Sequence, residues 1–198
     1  FATPHGCGGP GAGPVGVRRE LLPYLPVSRV VKRPDNTYTL DYDYPKSIGY
    51  MAPFYGNFLV CLRAYAYILL LGGRGLAEVS ENAVLNANYI KESLKGTLNL
   101  PYDRPSMHEC VFNDEFQKEY HITTMDMAKR LLDYGFHPPT VYFPLVVEGA
   151  FMVEPTETES KEDIDQFIQA VKSIAQEAKD NPEQLKKAPR LTKVTRLD

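Results

Sequence analysis

The stretch His5-Gly6-Cys7-Gly8-Gly9-Pro10-Gly11-Ala12-Gly13-Pro14 places glycine at positions 6, 8, 9, 11 and 13 of a 198-residue chain. In such a run, backbone N–H groups can approach an anion with no Cβ in the way. Two familiar phosphate chemistries are excluded. A phosphate-loop NTPase needs G-x-x-x-x-G-K-[ST], and here Gly16 is followed by Val17 and Arg18. A dinucleotide fingerprint needs a strand before it and a helix after it, whereas the strand-like Val15-Gly16-Val17 comes after. Read alone, the run is a turn or an anion loop that needs partners from elsewhere.

Other reactive types are sparse. His108 and Glu109 fall in a predicted strand, Ser106–Asn113, where neighbouring side chains point to opposite faces and form no local dyad. His121 and His137 lie in predicted loops. The acidic run Glu154-Pro155-Thr156-Glu157-Thr158-Glu159 precedes a helix, where negative charge is favourable for its own sake. No Ser-His-Asp or Cys-His arrangement stands out, and no metal site is expected. Cys7, Cys61 and Cys110 are odd in number and far apart. They fit neither a disulfide framework nor a zinc site, which points to a reducing, cytoplasmic setting. A formal net charge of −3 carries no nucleic-acid footprint. With 43% hydrophobic and 24% charged residues, the composition is that of a soluble globular protein.

Several elements must position these groups. Pro14–Arg18 reads as a short strand, and Leu21–Pro26 is cut by Pro23 and Pro26. Residues 32–53 are polar and Pro-punctuated, without periodicity. Their tyrosines (Tyr38, Tyr42, Tyr44 and Tyr50, with Tyr55 just beyond) argue for order against a surface. Phe58–Leu71 is almost wholly apolar but falls short of the ~20 residues of a membrane span and carries Arg63, so a buried helix is expected and no membrane. Gly72-Gly73 and Gly75 break it. Leu76, Val79, Ala83, Ala87, Ile90 and Leu94 then form one apolar stripe, completing a helical hairpin. The opposite face carries Glu78, Glu81, Asn82, Asn88 and Lys91, read as solvated.

Farther on, Thr123 and Asp126 open a helix that runs to Tyr134 and stops at Gly135. Thr140–Val147 and Ala150–Val153 read as strands. Ser160 and Asp163 cap a helix whose apolar face is Ile164, Phe167, Ile168, Val171, Ile174, Ala175 and Ala178. The fold class is α/β of the α+β kind: a small, largely antiparallel sheet covered by helices.

Four separated segments then carry a resemblance: His5–Val17, Ser80–Tyr89 (SENAVLNANY), Ala128–Pro139 (AKRLLDYGFHPP) and Met152–Lys161 (MVEPTETESK). Together they resemble the carboxy-terminal part of glycine decarboxylase, the P-protein of the glycine cleavage system. Phe54-Tyr55-Gly56-Asn57-Phe58, with Arg63-Ala64-Tyr65-Ala66-Tyr67, is similar to the second subunit of its bacterial two-subunit form.

The resemblance implies a fold type I, aminotransferase-like pyridoxal-phosphate enzyme. Residues 1–50 would be the tail of its large cofactor-binding domain, and 51–198 its small carboxy-terminal domain. It implies decarboxylation of glycine on pyridoxal phosphate and transfer of the aminomethyl group to lipoyl H-protein, with the other P-protein subunit as partner. The Schiff-base lysine of the family would stand just upstream of Phe1, so the chain reads as a piece of a longer enzyme, inactive alone and without a catalytic residue of its own. His5, Gly8 and Gly9 would line the cofactor cavity. Gly56 and Asn57 would reach the cofactor phosphate across a subunit interface, or Asn57 would simply cap a helix. His108 is the candidate for the glycine carboxylate. An assembly or docking module, and the small domain of another aminotransferase or decarboxylase of this fold, are the rival readings.

Overall fold

A computed structural model describes residues 11–51 and 55–192. The chain divides into two compact units, Phe1–Arg74 and Gly75–Asp198.

The first unit holds a 3-10 turn at Arg19–Tyr24 and a two-stranded antiparallel hairpin, β1 (Arg29–Lys32) with β2 (Tyr38–Asp41). The expected strand at Pro14–Arg18 is absent, because residues 14–18 run irregularly into the turn. The hairpin lies in a stretch expected to lack regular structure. Its connection is local chemistry: Asp35 Oδ1 accepts from the Thr37 N–H and hydroxyl, and Asn36 adopts φ 64°. Tyr44 stacks under the Arg29 guanidinium, 3.6 Å from its ring centre, and Arg29 also donates to the Leu25 carbonyl at 2.8 Å.

Helix α1 (Phe58–Leu94) begins in this unit and ends in the second. The break expected at Gly72-Gly73 is present: α1 is two helices that meet at a kink at Gly72, with φ 62° and ψ −176°. That φ is accessible to glycine at no steric cost. The expected burial of Phe58–Leu71 does not occur within this chain. Phe58, Leu59, Leu69 and Leu70 are 74%, 68%, 64% and 82% exposed. By length and composition, α1 could cross a membrane.

The second unit is a three-stranded antiparallel sheet, ordered β3 (Cys110–Phe112), β5 (Phe151–Val153), β4 (Thr140–Val141). Helices α2 (Glu115–Glu119), α3 (Thr124–Asp133), α4 (Lys161–Asp180) and α5 (Pro182–Lys186) complete it. Strand alternation puts Cys110, Phe112, Phe151 and Val153 on the buried face. They share one cluster with Ile90 and Leu94 of α1, Met127 and Leu131 of α3, and Ile164, Ile168, Val171, Ile174 and Ala178 of α4. This is the predicted α+β architecture.

Its strands are shorter than the sequence suggests. Beyond Val141 the backbone turns at Tyr142, with φ 58°, and Pro144 has no N–H to offer a ladder. Before Cys110 the chain bends through Met107 and His108, so His108 and Glu109 precede the strand instead of alternating within it. The helix starts hold as expected. Thr123 and Asp126 form a reciprocal capping box, and the Ser160 hydroxyl accepts from the Asp163 N–H at 3.1 Å.

A polar knot ties α3 to α4. Arg130 grips Glu177 with two N–H donors, at 2.8 and 2.9 Å, and reaches Asp133 at 2.9 Å. Tyr134 donates its hydroxyl to Glu177, and Asp133 accepts the N–H groups of Arg190 and Leu191. Burial pushes the Glu177 carboxyl up, but the Arg130 and Tyr134 hydrogen bonds outweigh it and hold it below the ordinary range. At Asp133, burial is likewise outweighed by the two backbone N–H groups and Arg130. Carboxylates depressed in the folded state stabilise it above their unfolded pKa, about 4, and lose that contribution as pH falls through the folded value. Chemical denaturation from pH 7 to pH 3 should therefore show a stability loss that is steeper in the natural chain than in Glu177→Gln. At pH 7 the variant should be about 2 kcal/mol weaker.

Candidate functional site

Two of the regions singled out by sequence are assembled locally, one in each unit. In the first unit, Gly56 has φ 72°, and a Cβ built on it would lie 3.1 Å from Ala12 Cβ. The glycine-rich opening run therefore abuts the turn at Gly56. The neighbouring Gly11, Gly13 and Gly16 face open space. Asn57 then starts α1: its Oδ1 accepts from the Val60 N–H at 3.3 Å, and its carbonyl accepts from Cys61 at 3.0 Å. The capping reading of Asn57 is thus realised, and it leaves the side-chain amide N–H groups at an exposed helix start. Just before it, the Tyr55 hydroxyl bonds the Ser28 hydroxyl and the Ser28 carbonyl. The other cofactor candidates, His5, Gly8 and Gly9, lie outside the described residues.

The second unit builds its site from the asparagine-rich face of α1. The Asn88 amide pairs with the Ser106 peptide in both directions. Its Nδ2 donates to the Ser106 carbonyl at 2.8 Å, and its Oδ1 accepts the Ser106 N–H at 2.9 Å. Its Nδ2 also bonds the Val84 carbonyl of its own helix at 2.8 Å. Lys91, expected on a solvated face, is 3% exposed and donates to the Arg104 carbonyl at 2.7 Å, with Glu92 at 3.0 Å as counter-ion. Asn86 donates to the Thr156 carbonyl at 3.0 Å. Tyr89 donates to Asp165 at 2.6 Å, beside Lys161. Side chains on different sides of this helix thereby pin the 104–106 segment and the acidic loop after β5.

The pinned loops bring His108 and Glu154 together, Nε2 to Oε1 at 3.8 Å, both side chains 57% exposed. Sequence spacing could not show this pair, because its members come from segments that meet only in the fold. The available signal was the asparagine content of Ser80–Tyr89, which suits side chains that mimic a peptide group. No group of three or more His, Cys, Asp and Glu among the described residues is arranged to hold a metal ion. Cys110 is buried, and burial pushes its thiol up to about 12, so it is no thiolate nucleophile at neutral pH.

The second unit is a layered α+β domain with a polar rim built on one helix. The profile of the family described as "Glycine dehydrogenase, C-terminal domain" matches residues 79–193, nearly the whole second unit, and the chain belongs to that family. Over its full length it is 57% identical to a probable glycine dehydrogenase (decarboxylating) subunit 2 of Caldanaerobacter subterraneus subsp. tengcongensis, of which it covers 41%. Proteins of the same name from Fervidobacterium nodosum and Bacillus licheniformis are each 56% identical, with 42% and 41% covered. The chain therefore spans about two fifths of the length of these relatives. A crystal structure of glycine decarboxylase (P-protein) of the glycine cleavage system, in inhibitor-bound form, matches with a TM-score of 0.63 at 18% identity. That match covers 79% of this chain and 37% of the solved one, and supports the fold.

Asn88→Ala removes both halves of the Ser106 pairing and should cost about 2 kcal/mol, leaving a part-buried peptide without partners. Thermal unfolding measures the cost, and amide exchange at Ser106 should accelerate with it. Asn88→Asp keeps the acceptor but sets a carboxylate oxygen against the Ser106 and Val84 carbonyls, so it should cost at least as much as Asn88→Ala.

Proposed function

We propose that this chain is the carboxy-terminal part of subunit 2 of a glycine dehydrogenase (decarboxylating). In the assembled enzyme it would act with the other P-protein subunit to decarboxylate glycine and pass the aminomethyl group to lipoyl H-protein. The observation that carries this reading is 57% identity along the entire chain to a subunit 2 protein. The setting would be cytoplasmic, in keeping with the free thiols of Cys61 and Cys110.

Pyridoxal phosphate, when bound, would supply the electron sink for loss of CO₂. The chain's own part is binding and orientation. The described residues fit the phosphate end of that cofactor. The start of a long helix offers first-turn N–H groups without intrahelical acceptors, and the Asn57 amide stands beside them. Gly56, at positive φ against Ala12, lets the backbone come close. His5, Gly8 and Gly9 are assigned to the same cavity. Residues 1–50 would close the large cofactor domain, and 51–198 would form the small one. His108 would receive the glycine carboxylate.

The test uses the full-length subunit with its partner subunit and H-protein, scored by glycine–bicarbonate exchange and by titration with pyridoxal phosphate. Asn57→Asp keeps the acceptor that caps Val60 and suits the helix dipole, so stability should hold. It also sets a negative charge beside the phosphate, so affinity should fall at least about tenfold. Unchanged affinity would remove Asn57 from the cofactor site, and absence of exchange in the natural assembly would overturn the enzymatic reading.

A further inference from the structure

A cleft of about 340 Å³ opens where α3, α5 and the segment after α5 meet, and its lining is unequal in charge. Arg130, Lys187 and Arg190 line it, with Glu183 as the carboxylate and Asn181 and Gln184 supplying side-chain amides. All of these residues lie within the stretch matched by the family profile. Arg130 is fixed in place before any ligand arrives. Its side chain is 10% exposed, and Glu177 and Asp133 take three of the five N–H groups of its guanidinium. The other two have no acceptor among the described residues. Asp133 also accepts the backbone N–H groups of Arg190 and Leu191, each at 2.7 Å. The carboxylate that fixes Arg130 therefore fixes the segment that carries Arg190.

The charges of this lining do not balance. Glu177 and Asp133 offset Arg130. Glu183 is engaged by Lys186 at 2.8 Å, whose hydrogen bond holds its carboxyl below the ordinary range. Lys187 and Arg190 make no ion pair among the described residues. Two positive charges are left over at one concave site, beside the spare N–H groups of a buried guanidinium. We infer that this cleft binds a phosphate group, carried by a phosphate monoester or by free phosphate. Guanidinium groups present planar N–H forks that match phosphate oxygens, and Lys187 adds a point charge. Asn181 and Gln184 can donate to the remaining oxygens. A phosphate monoester carries two negative charges above its second pKa of about 6, as many as the lining leaves uncompensated. None of these residues belongs to the set assigned to pyridoxal phosphate.

The test uses the assembled subunits, saturated with pyridoxal phosphate and dialysed into phosphate-free buffer, so that added phosphate meets an occupied cofactor site. Isothermal titration with glycerol phosphate at pH 7.5 should show one site per chain with a Kd at or below about 1 mM. At pH 5 the affinity should fall about tenfold, because the monoester then carries one charge. Glu183, Glu177 and Asp133, all held below the ordinary carboxylate range, stay ionised at both pH values. Lys187→Gln with Arg190→Gln should weaken binding at least about tenfold while leaving the thermal transition within about a degree, since neither side chain is ion-paired. Inorganic phosphate binding as tightly as the monoester makes free phosphate the ligand, and a preference for the monoester makes it a phosphorylated small molecule. Three outcomes would overturn the proposal: no saturable binding below about 10 mM, equal affinity in the double variant, or equal affinity for succinate. Loss of all binding in about 0.15 M chloride would also overturn it, as the mark of an adventitious ion only. Binding without glycine–bicarbonate exchange leaves the cleft standing while the enzymatic reading fails, and exchange without binding does the reverse.

Discussion

Ile90 and Leu94 enter the same apolar cluster as Phe112, Phe151 and Ile174, and this contact seats the helix whose polar side chains hold the 104–106 segment and the loop after β5. Once those two side chains are seated, helical geometry fixes the direction of Asn86, Asn88 and Lys91. Their hydrogen bonds then fall on the Thr156, Ser106 and Arg104 carbonyls without further adjustment. The rim bearing His108 and Glu154 is thus a consequence of core packing. A buried lysine would be costly if unpaired. Here it stands only because Arg104 and Glu92 complete its coordination.

The sequence revealed most where periodicity is long. The apolar face of α4 was readable but for the buried Ala170, and six of the seven residues named are buried, with Phe167 half-buried against Phe136. The capping box at Thr123 and the glycine stop at Gly135, with φ 84°, followed from residue types alone. Short strands were read too long, because their ends are decided by groups distant in sequence: Asn88 captures Ser106 before β3 can begin there. The β1–β2 hairpin was missed because its turn chemistry, Asp35 with Thr37, sits among polar residues that carry no alternating pattern.

At the site the sequence was only partly legible. Gly56 and Asn57 were singled out by the resemblance, and the fold places Gly56 against Ala12 of the glycine-rich run. His108 was chosen alone, and its neighbour Glu154 came from a segment read as helix-flanking charge. The apolar run Phe58–Leu71 was recognised as helical, but burial depends on a partner surface. Nothing within these residues says whether that surface lies in the same stretch of chain.

Taken together, the two units differ in kind. The second carries its own core and the family's carboxy-terminal pattern, while the first displays exposed apolar side chains and, among its described residues, no buried hydrophobic one. Hydrogen exchange of the 198-residue chain, followed by mass spectrometry, tests this difference most directly, since local opening free energy tracks buried apolar contact. Amides of 29–41 and 58–71 should exchange at least about a hundredfold faster than those of 110–112, 127–131 and 164–178. Equal protection of the two sets in the isolated chain would contradict the account.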